Sequence, residues 1–528
     1  MLEIETRVKI PFLWGKAVFK KSHWSQLNLI VGPNGSGKTL LAQNLAKQFE
    51  EGGYSVRFIK ADRQTYESEM EVQSREMKLL RDNEKIRSKI EKVLSSMFGK
   101  SIKFIEDIDG TLIPIVENKA WNVEYMLEQV ECHGLREIIH LLINLYSKGD
   151  NSSASEKECI FFDEPELHLH PQFQLFFINE IRKEIQHSAR RIIFLISHSP
   201  FFIDLRTSED LIGVIACHIN RVPTSIEELS EEDDALFRRF LPRFNTYHKQ
   251  FFFSDNQIFV EGYTDQQMFT HLITFIEDEY NAAGTGIIDV GGKDELGVFC
   301  KVCSLLGTNG RIITDLDSLF SGKLRDVACE DERVIQWLEK QRERQDDFYS
   351  SIFSTKEMAQ EITLSKLIFR LERYLIKISQ DLNKYFEENN VPQKMQALME
   401  KLSQLREKHE NAESVDTYKT VLLQGINNIS EEIEKCLPPE TAKTIPLIKN
   451  LASFILAAAE AARIYILPKG CIEHYYTRSN IQYMPVSAKD RLFRNELEFI
   501  QDAHKKTIRK NYSELIELLE KAAGRQTH

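Results

Sequence analysis

Residues 27–46 read LNLIVGPNGSGKTLLAQNLA: a strand-like run from Leu27 to Val31, a loop with three glycines, then an amphipathic helical repeat. Few folds accommodate that order. The loop matches Gly-x-x-x-x-Gly-Lys-Thr at Gly32, Gly37, Lys38 and Thr39. Glycines let successive backbone N–H groups curl around phosphate oxygens, and the helix that follows adds its positive N-terminus. The nucleotide-binding set is therefore Gly32, Asn34, Gly35, Ser36, Gly37, Lys38, Thr39 and Leu40. Lys38 is expected to reach the β- and γ-phosphates of ATP, and Thr39 to ligate Mg²⁺. A strand, loop and helix of this kind predict an α/β domain.

Such a loop needs an acid from another buried strand. ECIFFDEPELHLHPQ supplies it, with Ile160, Phe161 and Phe162 leading into Asp163 and Glu164. Asp163 is expected to hold Mg²⁺ and Glu164 to orient or deprotonate a water. Neighbours on a strand face opposite ways, so both serve one site only where the strand ends, and Pro165 fits a turn there. A third strand-like run, RRIIFLISHSPFFID, ends in Ser197 and His198. The three motifs in this order resemble the ABC-type ATPase domain of the OLD (overcoming lysogenization defect) family, over about residues 1–225. The resemblance implies that His198 senses the γ-phosphate. It also implies a Ser-x-Gly signature completing the site in trans. CHGLREIIHLL is the candidate, with Gly134 and Arg136 in place but Cys132 where serine is expected. A thiol donates more weakly than a hydroxyl, so slow turnover is expected. Gln64, after the strand-like run in FIKADRQT, is the candidate for the family's remaining nucleotide-contacting glutamine.

The second half repeats a strand–turn–helix pattern. QIFVEGYTDQQMF runs Ile258, Phe259 and Val260 into Glu261 and Gly262, with Asp265 four residues after Glu261. GIIDVGGKDELG is a strand (287–290), a glycine turn and a helix, and RIITDLDSLF ends a third strand on Asp315 and Asp317. Alternating strands and helices predict a parallel sheet with its acids at the strands' C-terminal ends. In an extended Asp-x-Asp both carboxylates project to one face and can share a divalent ion. Glu-Gly, Val-Gly-Gly and Asp-x-Asp in succession resemble the Toprim domain shared by topoisomerases, bacterial primases and OLD nucleases. That resemblance implies Glu261 as acid/base or metal ligand, Asp315 and Asp317 as ligands of Mg²⁺ or Mn²⁺, and Asp265 as a further acid of the nuclease branch. In OLD-family Toprim domains a late acid and a late lysine complete a two-metal site. Glu473 in RIYILPKGCIEHYYT and Lys489 in MPVSAKDRL are the matching residues.

Bulk properties bound the rest. A chain of 528 residues exceeds one core of roughly 250–300. The net charge of −12 excludes a protein that coats nucleic acid by charge alone, leaving local basic patches or bridging metal ions. Scattered cysteines suggest reduced thiols. Cys300 and Cys303 form a CxxC with no second pair at zinc spacing, and read as helix-packing residues. No signal peptide and no apolar run of about 18 residues is read, so a cytoplasmic protein without a membrane segment is expected. The basic run HKKTIRK (504–510) reads equally as a phosphate-contact strip or a solvated helix face.

The expected architecture is α/β: an ABC-type P-loop ATPase domain (1–225, helical lid about 65–150), a linker (226–255), and a Toprim α/β domain. The Toprim domain would comprise 256–330 and 456–528, with a large helical insertion (331–455). ATPase followed by Toprim is the OLD arrangement. It implies an ATP-regulated, metal-dependent DNA endonuclease that works as a homodimer or higher homo-oligomer. It also implies a role in anti-phage defence, alone or with a retron reverse transcriptase and its RNA–DNA, an HNH nuclease or a helicase. The rival reading is an ATP-driven clamp or sensor whose Toprim domain binds nucleic acid without cutting it.

Overall fold

The computed structural model describes residues 2–60, 78–106, 108, 112–118, 120–126, 133–147, 157–188, 190–219, 221–245, 248–253, 256–276, 285–308, 310–344, 347–353, 362–407 and 412–524. Gln64 and Cys132 lie outside these residues. The chain divides into two compact units, Met1–Asp255 with Leu305–Gly307, and Asn256–Ser304 with Thr308–His528.

In the first unit, β1 (Leu2–Val8) and β2 (Phe19–Trp24) form an antiparallel pair. The main sheet takes β3 (Leu27–Val31), β4 (Ser55–Ile59), β8 (Glu158–Asp163), β9 (Arg191–Ile196), β10 (Val214–His218) and β11 (Arg221–Ser225), in the order β11-β10-β3-β9-β8-β4. All neighbours are parallel except β10 and β11. Every residue of β3, β8, β9 and β10 is buried, as expected of central strands covered on both faces. Phe161 of β8 stacks on Phe194 of β9 at 4.3 Å between ring centroids. At the opposite end of the sheet from the glycine loop, buried Glu158 receives Arg57 of β4 and Arg191 of β9, each at 2.7 Å. This fork ties three strands at one level.

The structure revises two expectations here. The region expected as a helical lid has the helix Glu84–Phe98, then an antiparallel sheet of β5 (Ser101–Glu106), β6 (Leu112–Asn118) and β7 (Val123–Met126), then the helix His133–Tyr146. Ile102, Phe104, Leu112 and Val116 bury one face of that sheet at the two-residue period of strands. Nor is 226–255 an open linker. The helix Glu231–Phe240 is capped by Ser230, whose Oγ accepts from Asp233 N at 3.1 Å, and it buries Phe237. The turn Leu241–Arg243 follows it within the first unit.

The second unit is built on a parallel sheet of β12 (Asn256–Val260), β13 (Thr285–Asp289), β14 (Gly310–Thr314) and β15 (Ile464–Ile466), ordered β13-β12-β14-β15. Nine helices occupy 323–461 between β14 and β15 among the described residues, so the insertion is helical as expected. One core joins Ile258, Met268 and Phe269 to Leu467, Phe493, Ile500 and Leu515. Segments about 200 residues apart in sequence thus bury each other's apolar faces. Cys303 is buried on the helix Lys293–Leu305, and both it and Cys300 are free thiols.

One further revision concerns apolar runs. Pro439–Ala461 is long and apolar enough, by length and composition, to cross a membrane. In the fold its helix Ile445–Ala461 buries Ile448, Leu451, Phe454, Ile455 and Ala458, and Phe454 packs against Trp337 and Phe353 of the same insertion.

Candidate functional site

The glycine loop follows the last residue of β3. Gly32 has φ +148°, and a Cβ there would lie 2.3 Å from the Cys217 carbonyl oxygen, so only glycine lets the loop pass β10. Gly37 is left-handed and begins the helix Lys38–Glu51. Lys38 is buried, and its Nζ donates to the carbonyls of Gly32 (3.0 Å) and Pro33 (2.9 Å). Burial lowers its pKa, opposed by the nearby carboxylates of Glu164, Glu166 and Asp163. Thr39 Oγ1 donates to Asp163 Oδ1 at 3.1 Å, so the two expected magnesium ligands meet. Burial raises the Asp163 carboxyl to about 6. Glu164 sits at φ +50° where β8 turns, with His198 Nε2 3.4 Å from its Oε1. Burial, and then Lys38, lowers the His198 pKa, against the pull of Glu164. A histidine neutral near pH 7 can accept as well as donate. The loop fits ATP: its glycines form a cradle that side chains would fill, with Lys38, Thr39 and Asp163 around it.

Gly134 starts the helix His133–Tyr146, and a Cβ there would lie 2.6 Å from the His168 carbonyl oxygen. The candidate signature therefore abuts the DEPELHLH turn of its own chain. Glu166, in the same turn, was not singled out from the sequence. Its Oε1 accepts from His198 N at 2.5 Å and so holds the sensor turn.

In the second unit the acids gather at the C-terminal ends of the parallel strands, where open α/β sheets bind ligands. Glu261 follows β12, and its Oε1 accepts from Thr314 Oγ1 (2.6 Å) and Asp315 N (3.1 Å). One oxygen of each of Glu261, Asp315 and Asp317 lies within 4.8 Å of the others. Asp265 opens the helix Tyr263–Ile276, and its Oδ2 accepts from Gly262 N at 3.2 Å. Burial, then Glu261 and Glu473, raises its pKa to about 7. Burial, then Glu261 and Asp265, likewise raises that of Asp315 well above the carboxylate range.

Glu473 is 1% exposed; no nitrogen or hydroxyl donor reaches its carboxylate at hydrogen-bond geometry, and its neighbour there is the weakly donating Cys471 thiol. The nearest cation is Lys489, with Nζ 3.5 Å from Glu473 Oε1 and 3.9 Å from Asp315 Oδ2. Burial works against the Lys489 charge, but Asp315 and Glu473 outweigh it and raise its pKa. Five carboxylates at the strand ends form a donor set suited to hard divalent cations, with one ammonium beside them. The Glu473 oxygens, met only by a thiol and a lysine at 3.5 Å, are what such an ion would satisfy. The residues present fit Mg²⁺ or Mn²⁺.

Comparison with known protein families matches residues 252–317 to the family described as Overcoming lysogenization defect protein-like, TOPRIM domain. Residues 64–203 match the AAA ATPase domain family. The chain carries an AAA ATPase domain followed by an OLD-like Toprim domain. The ATPase match takes in Asp163, Glu164 and His198 but starts after the glycine loop, whose assignment rests on its own geometry. The Toprim match covers Glu261, Asp265, Asp315 and Asp317 and stops before Glu473 and Lys489, which the fold brings to the same cluster. No curated protein matches the chain.

Two features of the OLD-like Toprim domain went unread in the sequence. Lys293 Nζ pairs with Asp317 Oδ1 at 2.9 Å and donates to Ser321 Oγ at 3.1 Å. Its place just after the glycine turn in VGGKDEL was the available signal. Thr314 and Ser318 flank Glu261, their hydroxyls 2.6 Å apart. The basic run near the C-terminus is the helix Lys505–Asn511, with Ile508 buried and Arg509 donating to the Phe275 carbonyl at 3.2 Å.

Proposed function

We propose that this ATPase–Toprim protein is a divalent-metal-dependent DNA endonuclease regulated by ATP. The observation that carries the reading is the buried Glu473 carboxylate beside Asp315 and Lys489, which no nitrogen or hydroxyl donor satisfies at hydrogen-bond geometry. A purely structural acid would be hydrogen-bonded, and a pure phosphate binder would present Lys or Arg there instead.

Glu261, Asp315 and Asp317 would hold one ion, and Glu473 with Asp265 a second. Divalent ions in such a site supply Lewis acidity to a phosphodiester oxygen and lower the pKa of water for in-line attack. The chain's own residues do the rest. Thr314 Oγ1 and Asp315 N hold one oxygen of Glu261 and leave the other for a ligand or a proton. Lys489 remains cationic and offsets charge that develops on the phosphorus oxygens. In the first unit Lys38, Thr39 and Asp163 would hold ATP and its Mg²⁺, with Glu164 positioning water and His198 touching Glu164.

The reading includes assembly as a homodimer or higher oligomer, because the signature at Gly134 would complete another subunit's ATP site. It includes service in anti-phage defence in the cytoplasm, alone or with a reverse transcriptase, an HNH nuclease or a helicase. The test is plasmid cleavage with Mg²⁺ or Mn²⁺, with and without ATP. Wild type is expected to cut, Glu261→Ala to lose at least 10²-fold of the rate, in line with the loss of one charge-stabilising group, and Lys38→Ala to lose the ATP response. A wild type that binds DNA in an ATP-dependent manner yet never cuts it would favour a clamp or sensor.

A further inference from the structure

We infer that Gln424, from the helical insertion, is a positioning residue for the Toprim metal site. This inference rests on the nuclease reading above only for what the metal does, not for where it binds. Gln424 lies on the helix Ala412–Asn428 and is 1% exposed. Its Nε2 donates to the Lys469 carbonyl at 2.6 Å, and its Oε1 accepts from Met484 N at 3.0 Å. The same Nε2 lies 3.2 Å from His474 Nε2. One amide therefore bridges the loop after β15, which carries Glu473, and the segment that leads into Lys489.

The bridge continues to the other metal ligands. Gly470 has φ +133°, and a Cβ there would stand 2.2 Å from Gln424 Nε2, so glycine is what lets the amide reach the Lys469 carbonyl. The carbonyl of Gly470 accepts from Leu316 N at 2.7 Å, and Leu316 lies between Asp315 and Asp317. Gln424 thus braces the backbone beside Asp315, Asp317 and Glu473, and it steadies the approach to Lys489. The Glu473 carboxylate is touched only weakly, by the Cys471 thiol and by Lys489 at 3.5 Å, so its position depends on the loop that holds it. Groups that orient metal ligands from behind typically change metal affinity 10–100-fold when removed. The insertion is on this account part of the metal site's scaffold.

The test uses the full chain without nucleotide and measures Mn²⁺ binding by titration calorimetry, with Glu261→Gln marking the Toprim sites. Gln424→Glu keeps an acceptor for Met484 N but sets an oxygen against the Lys469 carbonyl, and Gln424→Met removes both bonds at similar volume. Each is expected to weaken Toprim Mn²⁺ binding about tenfold or more and to lower kcat for DNA, with KM for DNA little changed. Ile426→Val, on the same helix and buried, is expected to stay within about twofold of wild type, because it trims the core without touching the bridge. Folded Gln424 variants that bind Mn²⁺ as wild type does overturn the inference, as does an Ile426→Val that weakens binding equally. Should both Gln424 variants fail to fold, Gln424→Asn withdraws the amide from its backbone partners with a smaller change of shape and charge. A shift of threefold or more then supports the inference, and a smaller one overturns it. Wild type that binds Mn²⁺ but leaves DNA uncut would sink the nuclease reading, while the Mn²⁺ shift would still decide the role of Gln424.

Discussion

Glu473→Gln separates a metal ligand from a structural ion pair by thermal stability alone. Burying a carboxylate costs several kcal/mol, and a hydrogen-bonded partner normally offsets it. Glu473 has only the weakly donating Cys471 thiol, and Lys489 at 3.5 Å is 43% exposed, so solvent screens its contribution. Removing the charge does not strand Lys489, because Asp315 Oδ2 remains 3.9 Å away. The metal-free variant should therefore lie within about 1 kcal/mol of wild type, rather than the 3–5 kcal/mol lost on breaking a buried structural pair. Metal reverses the comparison. At 100 times its Kd, a bound ion stabilises wild type by about 2.7 kcal/mol, which corresponds to roughly 5–10 °C for a unit of this size. Glu473→Gln should lose much of that gain along with DNA cleavage. The assay is calorimetric melting of the full chain in chelator and in a Mg²⁺ or Mn²⁺ series. A variant that melts far below wild type in chelator, and responds to metal as wild type does, would refute the reasoning.

Other outcomes follow from buried charges away from the metal site. Glu158→Gln loses a carboxylate that faces Arg57 and Arg191, both at 2.7 Å, and leaves two guanidinium groups mutually repelling. It should destabilise the first unit by about 3 kcal/mol in urea unfolding, with the metal response of the second unit unchanged. Lys21 has no side-chain exposure and donates to the Ile226 carbonyl at 2.9 Å. Burial lowers its pKa to about 8, opposed by Glu227. The folded protein thus binds fewer protons than the unfolded chain from about pH 8 up to the ordinary lysine range. Stability from this group rises with pH across that window, by up to about 1.4 kcal/mol per unit. Lys21→Met should flatten the slope of stability against pH between 8 and 10, and an unchanged slope would count against the assignment.

Residues that carry chemistry at strand ends were legible because strand, turn and helix are encoded locally. Gly32, Lys38 and Thr39, Asp163 and Glu164, and Glu261, Asp315 and Asp317 each follow an apolar run that has to be buried. A buried parallel strand delivers whatever residue ends it to one edge of the sheet. The chain order of these motifs was enough to separate an ATPase half from a Toprim half. The sheet of β5–β7 was harder to read, because charged residues interrupt its alternation and part of its strands is short. Gln64 and Cys132 were read from motif position alone.

Tertiary structure decided what no local pattern carries. Lys293 meets Asp317 only because β13 and β14 flank β12, so the turns that follow them converge at one end of the folded sheet. Gln424 reads as one more polar residue on an insertion helix until that helix packs behind the loop that bears Glu473. The Glu473 carboxylate itself looks like an ordinary loop acid in sequence. Burial with so little hydrogen bonding makes it informative, and burial depends on elements hundreds of residues apart closing over it. The sequence by itself determined which residues stand at the ends of strands, because hydrophobic periodicity is local. Which of them are brought together, held and stripped of solvent was decided by packing, because those energies depend on distances in space.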